Sequence, residues 1–315
     1  MEVAKRSYGV DVSSFQDADL SQFANLGAKF GVVKLSEGLD YQNPKAEAQI
    51  SSAKANSMMT MGYHYARFSG NSNMAVQEGN YTVNTAKAVG LPAGSYLACD
   101  WEDGSGNSIY QGAGASADAI LAFLDTIVSA GYKPLLYSGK SLLTNNVNVK
   151  TITAKYGTCL WIASYKTMDR QDTADFGYFP SMDNIAIWQF TDNWRGLRVD
   201  GNISLIDLKS DATAPKLQPS NSTPAKPTAK TWTDVQGMTW HAEDGTFITG
   251  GAINLRWGAN TDSMLITTLP AGSVVKYNAW ARDSAGRVWL QQPRGSNHYG
   301  YLVGRVGSDA WGTFK

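Results

Sequence analysis

Two cysteines in 315 residues are too few for a disulfide scaffold. Cys99 and Cys159 each sit in an apolar run, Leu97-Ala98-Cys99 and Cys159-Leu160-Trp161, and read as buried thiols. Histidine is equally scarce. His64, His241 and His298 are not spaced to share a metal ion, His64 reads as a structural residue, and no metal or other cofactor is expected. No uninterrupted run of about 18 apolar residues occurs, which excludes a helical membrane span. The start, Met1-Glu2-Val3-Ala4-Lys5-Arg6-Ser7-Tyr8, is charged and lacks the apolar core of a secretion signal. An excess of one charge is also missing: 27 Lys and Arg balance 27 Asp and Glu, so the total calls for neither nucleic acid nor an anionic membrane. Ser13-Ser14 and Ser138 lack a nucleophile-elbow context, and Gly104-Ser105-Gly106 and Gly112-Ala113-Gly114 lack phosphate-loop spacing.

What the chain does have is length for roughly two domains, 43 % hydrophobic residues and 35 aromatic ones: 10 Trp, 15 Tyr and 10 Phe. Such rings fill cores, and they also stack on the C–H faces of sugars. The clearest boundary is the Pro-, Ser-, Thr- and Lys-rich stretch 211–230, DATAPKLQPSNSTPAKPTAK, which has almost nothing to bury and reads as a semi-extended spacer. It divides a domain over 1–210 from one over 231–315. Charge divides there too, with 17 Lys and Arg against 21 Asp and Glu over 1–211, and 10 against 6 afterwards.

Before the spacer, short β-rich runs alternate with helical patterns. The runs are Tyr8 to Val12, Phe30 to Leu35, Met61 to Tyr65, Tyr96 to Trp101, Leu135 to Tyr137, Cys159 to Ala163 and Ile185 to Phe190. Helices are expected over Asn43 to Ser57, Met74 to Val89 and Ala115 to Ala130, the last with Ser116 as N-cap and Gly131 just past its end. Alternation of this kind predicts a parallel α/β sheet, and seven or so strands in about 210 residues suit a barrel. After the spacer the pattern is all-β, with candidates Ile253 to Trp257, Leu265 to Leu269, Ser273 to Tyr277, Val288 to Gln291 and Tyr299 to Val303. These predict a small barrel.

Asp100-Trp101-Glu102 closes one apolar run. Residues i and i+2 of a strand share a side, so both carboxyls project together at the strand end where barrel enzymes gather catalytic groups. Two crowded carboxyls raise one pKa toward that of a general acid. Asp11 ends the first run, and Asp200 stands in Val199-Asp200-Gly201-Asn202 near the close of the domain. Each alone reads as a capping or turn residue. Together they describe an acidic cleft, because the first and last strands of a closed barrel are neighbours.

Seven motifs follow one another along the domain: Gly9-Val10-Asp11-Val12-Ser13-Ser14-Phe15-Gln16, Val33-Lys34-Leu35-Ser36-Glu37-Gly38, Gly62-Tyr63-His64-Tyr65, Asp100-Trp101-Glu102, Leu136-Tyr137-Ser138-Gly139, Leu160-Trp161-Ile162-Ala163 and Trp188-Gln189-Phe190-Thr191. In this order they resemble one family, the glycoside hydrolase family 25 muramidases, or Chalaropsis-type lysozymes, common among phage endolysins. The resemblance covers residues 7 to 210. It implies an irregular TIM-like (β/α)5(β)3 barrel with an acidic groove, and hydrolysis of the β-1,4 bond between N-acetylmuramic acid and N-acetylglucosamine in bacterial peptidoglycan. Under it Glu102 is the general acid, Asp100 its tuning neighbour, and Asp11 and Asp200 stabilise charge at the anomeric carbon or position the N-acetyl group. An alternative register puts Ser204 in place of Asp200, and Asp207 is a further substitute. Lys34, Glu37, Tyr63, Tyr65, Tyr137, Trp161, Trp188 and Gln189 are the substrate-binding candidates; the rings among them also read as core, and Lys34 with Glu37 as an ion pair.

The tail, 231–310, resembles bacterial Src-homology-3-like wall modules through Gly245-Thr246-Phe247, Ile253-Asn254-Leu255-Arg256, Leu269-Pro270-Ala271-Gly272-Ser273-Val274-Val275, Trp289 and Gly300-Tyr301-Leu302. That implies binding of a wall peptide or wall polymer, with Trp257, Tyr277, Trp280, Trp289 and Tyr301 as groove candidates or, for about half of them, core. The expectation is therefore a modular wall hydrolase, made in the host cytoplasm without a signal peptide and reaching the wall through holes opened by a holin. A wall-binding protein without activity, and a glucosaminidase or chitinase on the same fold, are the alternatives.

Overall fold

Alternation of side chains along eight short strands sets the architecture of the first unit. The computed structural model describes residues 1–104, 106–211, 231–233, 238–261, 263, 265–294 and 299–315. The strands are β1 (Tyr8–Val12), β2 (Phe30–Glu37), β3 (Met59–Tyr65), β4 (Tyr96–Asp100), β5 (Lys133–Gly139), β6 (Leu160–Ala163), β7 (Ile185–Thr191) and β8 (Asp200–Ser204). Consecutive strands pair, and β8 also pairs with β1, so the sheet closes. Pairings from β1 to β7 are parallel; β8 is antiparallel to both its neighbours.

Parallel neighbours need long crossovers. Helices α1 (Ser21–Asn25), α2 (Ala46–Ala55), α3 (Ser72–Ala88) and α4 (Ala113–Ser129) supply four of them, and the short helices α5 (Lys140–Asn146) and α6 (Val149–Tyr156) together supply the fifth. The loop from β6 to β7 carries a single 3-10 turn at Phe176–Tyr178. Five β/α units followed by three strands is the arrangement expected above.

The strand period of two sorts the side chains. Phe30, Val32, Met59, Met61, Ala98, Leu135, Trp161 and Ile187 fill the barrel interior. Their strand neighbours Val10, Val33, Leu97, Cys99, Leu136, Ile162 and Trp188 point outward to meet the helices. On that outer layer α4 buries Ile120, Phe123, Leu124 and Ile127, each stabilising by about 1.5–3 kcal/mol. The base of the barrel is sealed by Val3 and Leu208, on short strands Glu2–Val3 and Leu208–Lys209 that pair with each other. Gly9 leaves room for this packing, since a Cβ there would sit 2.4 Å from the Phe30 ring. Both thiols are buried and free.

Two expectations need correcting here. Ser116 is not the N-cap of α4: Gly112 is, and Ser116 lies fully buried inside the first turn. Gly131 does adopt the left-handed conformation just past the helix. Strand β8 is implied by the (β/α)5(β)3 resemblance but not marked by any apolar run, because its polar sequence Asp200-Gly201-Asn202 reads as a turn.

The chain forms two compact units, Met1–Lys216 and Leu217–Lys315. All but the first residue of the spacer 211–230 lies outside the described residues, as does His298. Unit 2 is an antiparallel sheet in the order Thr231–Thr233, Thr239–Thr249, Val274–Arg282, Arg287–Pro293, Tyr299–Val306, Ile253–Arg256, Leu265–Leu269. Of its candidate groove residues, two are core instead: Tyr277 is 5 % exposed and Trp289 1 %. Their polar tips are nonetheless satisfied, Tyr277 by Glu243 at 3.1 Å and Trp289 by Asp283 at 2.9 Å. Trp257, Trp280 and Tyr301 are half-buried; Trp280 stacks on His241 and Tyr301 packs on Trp240.

Candidate active site

Where strands β1 to β7 end and the antiparallel β8 begins, the interior-facing positions are mostly polar, while those below are apolar. From β1 comes Asp11, from β2 Lys34, from β3 Tyr63 and Tyr65. Strand β4 supplies Asp100, and β5 and β6 supply Tyr137 and Trp161. Gln189 follows from β7, with Asp200 and Asn202 from β8. Pairing registers place them in one ring: Lys34 beside Tyr63, Tyr65 beside Asp100, Asp100 beside Tyr137, Tyr137 beside Trp161, Gln189 beside Asn202 and Asp200 beside Asp11. In a closed ring of eight, β4 stands opposite β8, so Asp100 and Glu102 rise from one wall and Asp11 and Asp200 from the other.

The two walls differ in what they offer a carboxyl group. Asp11 is 6 % exposed, yet its Oδ2 accepts an N–H from Gln189 at 2.8 Å and another from Asn202 at 2.7 Å. Charge-assisted bonds of this kind contribute about 1.5–3 kcal/mol each. Burial raises the Asp11 pKa; those amides and Asp200 oppose the rise. Asp200 has no such donors. Burial first, then the charge of Asp11 and a hydrogen bond to it, push its pKa up to about 9, so the proton of this pair resides on Asp200. On the other wall Asp100 is 5 % exposed and its buried Oδ1 has no hydrogen-bond partner among the described residues. Its pKa is raised well above the usual range by burial and by the charge of Glu102, against the pull of Lys34. Glu102, half-buried just past the strand, is also raised, by burial and then by Asp11. The cleft thus holds a protonatable pair opposite an amide-held carboxylate.

Basic residues enter only at the rim. Lys34 pairs with Glu37 at 2.7 Å and lies over the rings of Tyr65 and Tyr41, 5.0 and 5.5 Å from their centres. Arg67 closes on Glu37 and on Asp40. Lys34 and Glu37 are therefore an ion pair beside the acids. Tyr63 and Tyr137 pack against Trp161 as the cleft floor, with ring centres 6.1 and 4.5 Å from it.

Trp188 does not belong to the cleft. It is adjacent to Gln189 on β7, and neighbours on a strand face opposite sides; Gln189 faces in, so Trp188 faces out. There it is 1 % exposed, packs on Phe176, Phe179 and Phe190, and donates to the Ser164 carbonyl at 2.8 Å. Neither substitute for Asp200 lies in the cleft. Asp207 is exposed and accepts from the Lys5 amide, while Ser204 bonds Ser7 and Ala4. His64 is structural: it bridges Ser36 and Glu78, both at 2.9 Å, and stacks on Phe123. Among the described residues no three His, Cys, Asp or Glu side chains form a metal-ligating group. Sequence reasoning passed over Asn202 and Tyr165. Both were signalled by the i, i+2 rule, Asn202 from Asp200 and Tyr165 from Ala163.

A barrel with paired carboxyls on opposite walls of its mouth is matched by one family model, "Glycosyl hydrolases family 25", over residues 10–197. This chain belongs to family 25 of the glycosyl hydrolases. Muramidase-type glycoside hydrolysis is accordingly its enzyme class. Among relatives, a lysozyme of Lactococcus phage mv1 is 40 % identical over 174 residues, covering 55 % of this chain and 86 % of that protein. A lysozyme of Streptococcus phage Cp-1 is 34 % identical over 78 % of this chain and 64 % of its own. A protein of Streptococcus phage B30, named D-alanyl-L-alanine endopeptidase, is 35 % identical over 68 % of this chain but only 46 % of its own length. The crystal structure of the modular Cpl-1 endolysin complexed with a peptidoglycan analogue superposes with a TM-score of 0.56 at 27 % identity, covering 95 % of this chain and 77 % of that one. This family-25 chain is thus of the phage endolysin type. No described helix is long and apolar enough to cross a membrane.

Proposed function

We propose that this enzyme hydrolyses the β-1,4 bond between N-acetylmuramic acid and N-acetylglucosamine in peptidoglycan, with Glu102 as general acid. The observation that carries the assignment is the asymmetry of the two walls. Glycoside hydrolysis needs a proton donor on one side of an oxocarbenium-like transition state and a negative carboxylate on the other. Glu102 is the one with raised proton affinity at the open edge and no amide donors among the described residues; Asp11, though burial raises its pKa too, is the one whose oxygen accepts two amide N–H bonds that favour its charged form. Glu102 gives its proton to the leaving oxygen as the glycosidic C–O bond breaks. Asp11 faces the positive charge that develops at the anomeric carbon, and water completes the reaction there, its proton passing to the cleft carboxylates so that Glu102 is reprotonated. Asp100 supports Glu102 from below, and protonated Asp200 donates to Asp11. Tyr63 and Tyr65 are the side chains offered to the sugar, and Lys34, paired with Glu37, sets the charge beside the acids.

The domains read as 1–210 catalytic, 211–230 spacer and 231–315 wall-binding. Unit 2, read as a Src-homology-3-like module, would hold a wall peptide or polymer through Trp257, Trp280 and Tyr301, raising the local concentration of the hydrolase. The phage relatives support release to the wall through holin-type holes. Glu102→Gln is expected to abolish the turbidity loss of wall suspensions, by at least about 10³-fold, while leaving wall binding intact. Mass analysis of released reducing ends decides the bond: muramic acid ends support this reading, and glucosamine ends would replace it with glucosaminidase action.

A further inference from the structure

Two amides meet at one oxygen of Asp11, and each is held from its far end. Asn202, fully buried, accepts the indole N–H of Trp161 on its Oδ1 at 2.7 Å. An indole N–H can only donate, so the Asn202 oxygen must face Trp161 and its N–H groups must face Asp11. Gln189, 2 % exposed, accepts the hydroxyls of both Tyr137 and Tyr165 on its Oε1, at 2.9 and 2.5 Å. Two hydroxyl donors on that oxygen leave its Nε2 for Asp11. The relay runs through consecutive strands, from Tyr137 on β5, through Trp161 on β6 and Tyr165 just beyond it, to Gln189 on β7, Asn202 on β8 and Asp11 on β1. On β4, by contrast, the buried oxygen of Asp100 has no partner among the described residues.

We propose that Gln189 and Asn202 are positioning residues that fix the orientation of Asp11, and that Tyr137, Tyr165 and Trp161 act on the reaction by fixing which way round those two amides sit. The rings of Tyr137 and Trp161 are then braces beneath the cleft, where the sequence suggested sugar contacts. Burial, foremost, and the surrounding carboxylates keep both tyrosine hydroxyls protonated and able to donate. The inference rests on Asp11 serving the proposed glycan cleavage, and it assigns Gln189, Tyr137 and Trp161 a part in that cleavage without contact to the substrate.

The test is steady-state kinetics of the full chain on a soluble, defined muramic acid–glucosamine oligosaccharide, with thermal melting as a check on folding. Gln189→Met keeps the size and removes the N–H; it should lower kcat at least 30-fold with KM within threefold. Tyr137→Phe/Tyr165→Phe keeps the rings and removes the hydroxyl donors, and Trp161→Phe removes the indole donor with a smaller ring in its place; each should lower kcat about tenfold with KM again unchanged. A KM rise beyond about fivefold in any of them means contact with the sugar and overturns the proposal, as does a Gln189→Met enzyme with kcat within threefold of the parent. Should Gln189→Met fail to fold, Tyr165→Phe at the half-buried rim carries the same decision. Glu102→Gln runs in parallel. If it retains activity, the cleavage reading itself falls; if it is inactive while Gln189→Met behaves as the parent, only the positioning role falls.

Discussion

Replacing Asp200 with Asn should make the catalytic unit more stable and less active, and the gain should depend on pH in a defined direction. Unfolded, Asp200 ionises near 3.8; folded, it keeps its proton to about 9, chiefly through burial and the charge of Asp11. Between those values the folded state binds more protons than the unfolded one, so this residue lowers stability as pH rises. At about 1.4 kcal/mol per pH unit, the cost developed by pH 7 is roughly 4 kcal/mol. Asp200 is half-buried at an open cleft, and screening by solvent reduces the expected gain to about 1–3 kcal/mol. Asn imitates the protonated acid, donating to Asp11 without the ionisation that burial opposes. The assay is thermal unfolding of parent and Asp200→Asn between pH 4 and 8. We expect melting points that coincide near pH 4 and diverge by roughly 3–10 °C near neutrality, with lytic activity at least tenfold down. An equal gain at both ends of the range, or a loss near neutrality, would refute the reasoning.

Two further outcomes follow from the packing and the division into units. Trp188→Ala removes an outward-facing core ring and should cost about 3–5 kcal/mol in chemical denaturation, while the KM of the folded enzyme on soluble glycan stays within twofold; a KM rise would return Trp188 to the cleft. Deleting 231–315 should leave a folded enzyme that turns over soluble glycan fragments at the parental rate but clears wall suspensions severalfold more slowly, and an insoluble truncation would place the boundary elsewhere.

How far the sequence carried depended on what each residue faces. Seven strands were legible because their outward positions are Val, Leu, Ile and Cys packed on helices. The eighth was not, because Asp200 and Asn202 face the site, and a strand made of site residues looks like a turn. Lys140–Asn146 and Val149–Tyr156 were missed for a related reason: each buries only one residue, too little for a helical period to show. Asp11, Asp100 and Glu102 were found because acids rarely end apolar runs, and Asp200 because its place near the close of the domain puts it beside Asp11 in a closed barrel. Choosing Trp188 with Gln189 was an error of strand parity that the sequence alone was enough to exclude. In unit 2 the aromatic surplus was readable, but burial decided its use, and Tyr277 and Trp289 went to the core.

Lys34 offers the last discrimination, between a charge that touches sugar and one that tunes the acids. It is paired with Glu37 at the rim, and its charge lowers the proton affinity of both Asp100 and Glu102. Removing it should therefore strengthen their hold on protons. If Glu102 must be protonated to act, kcat/KM falls as pH rises through its pKa, and that alkaline limb should move to higher pH in Lys34→Met. The acid limb belongs to Asp11, whose proton affinity is governed by its burial and by its bonds to Gln189, Asn202 and Asp200, and should stay in place. A profile with both limbs unmoved and KM raised would instead make Lys34 a sugar contact. A downward shift of the alkaline limb contradicts the charge argument altogether, since loss of a cation beside two carboxyls has only one electrostatic sign.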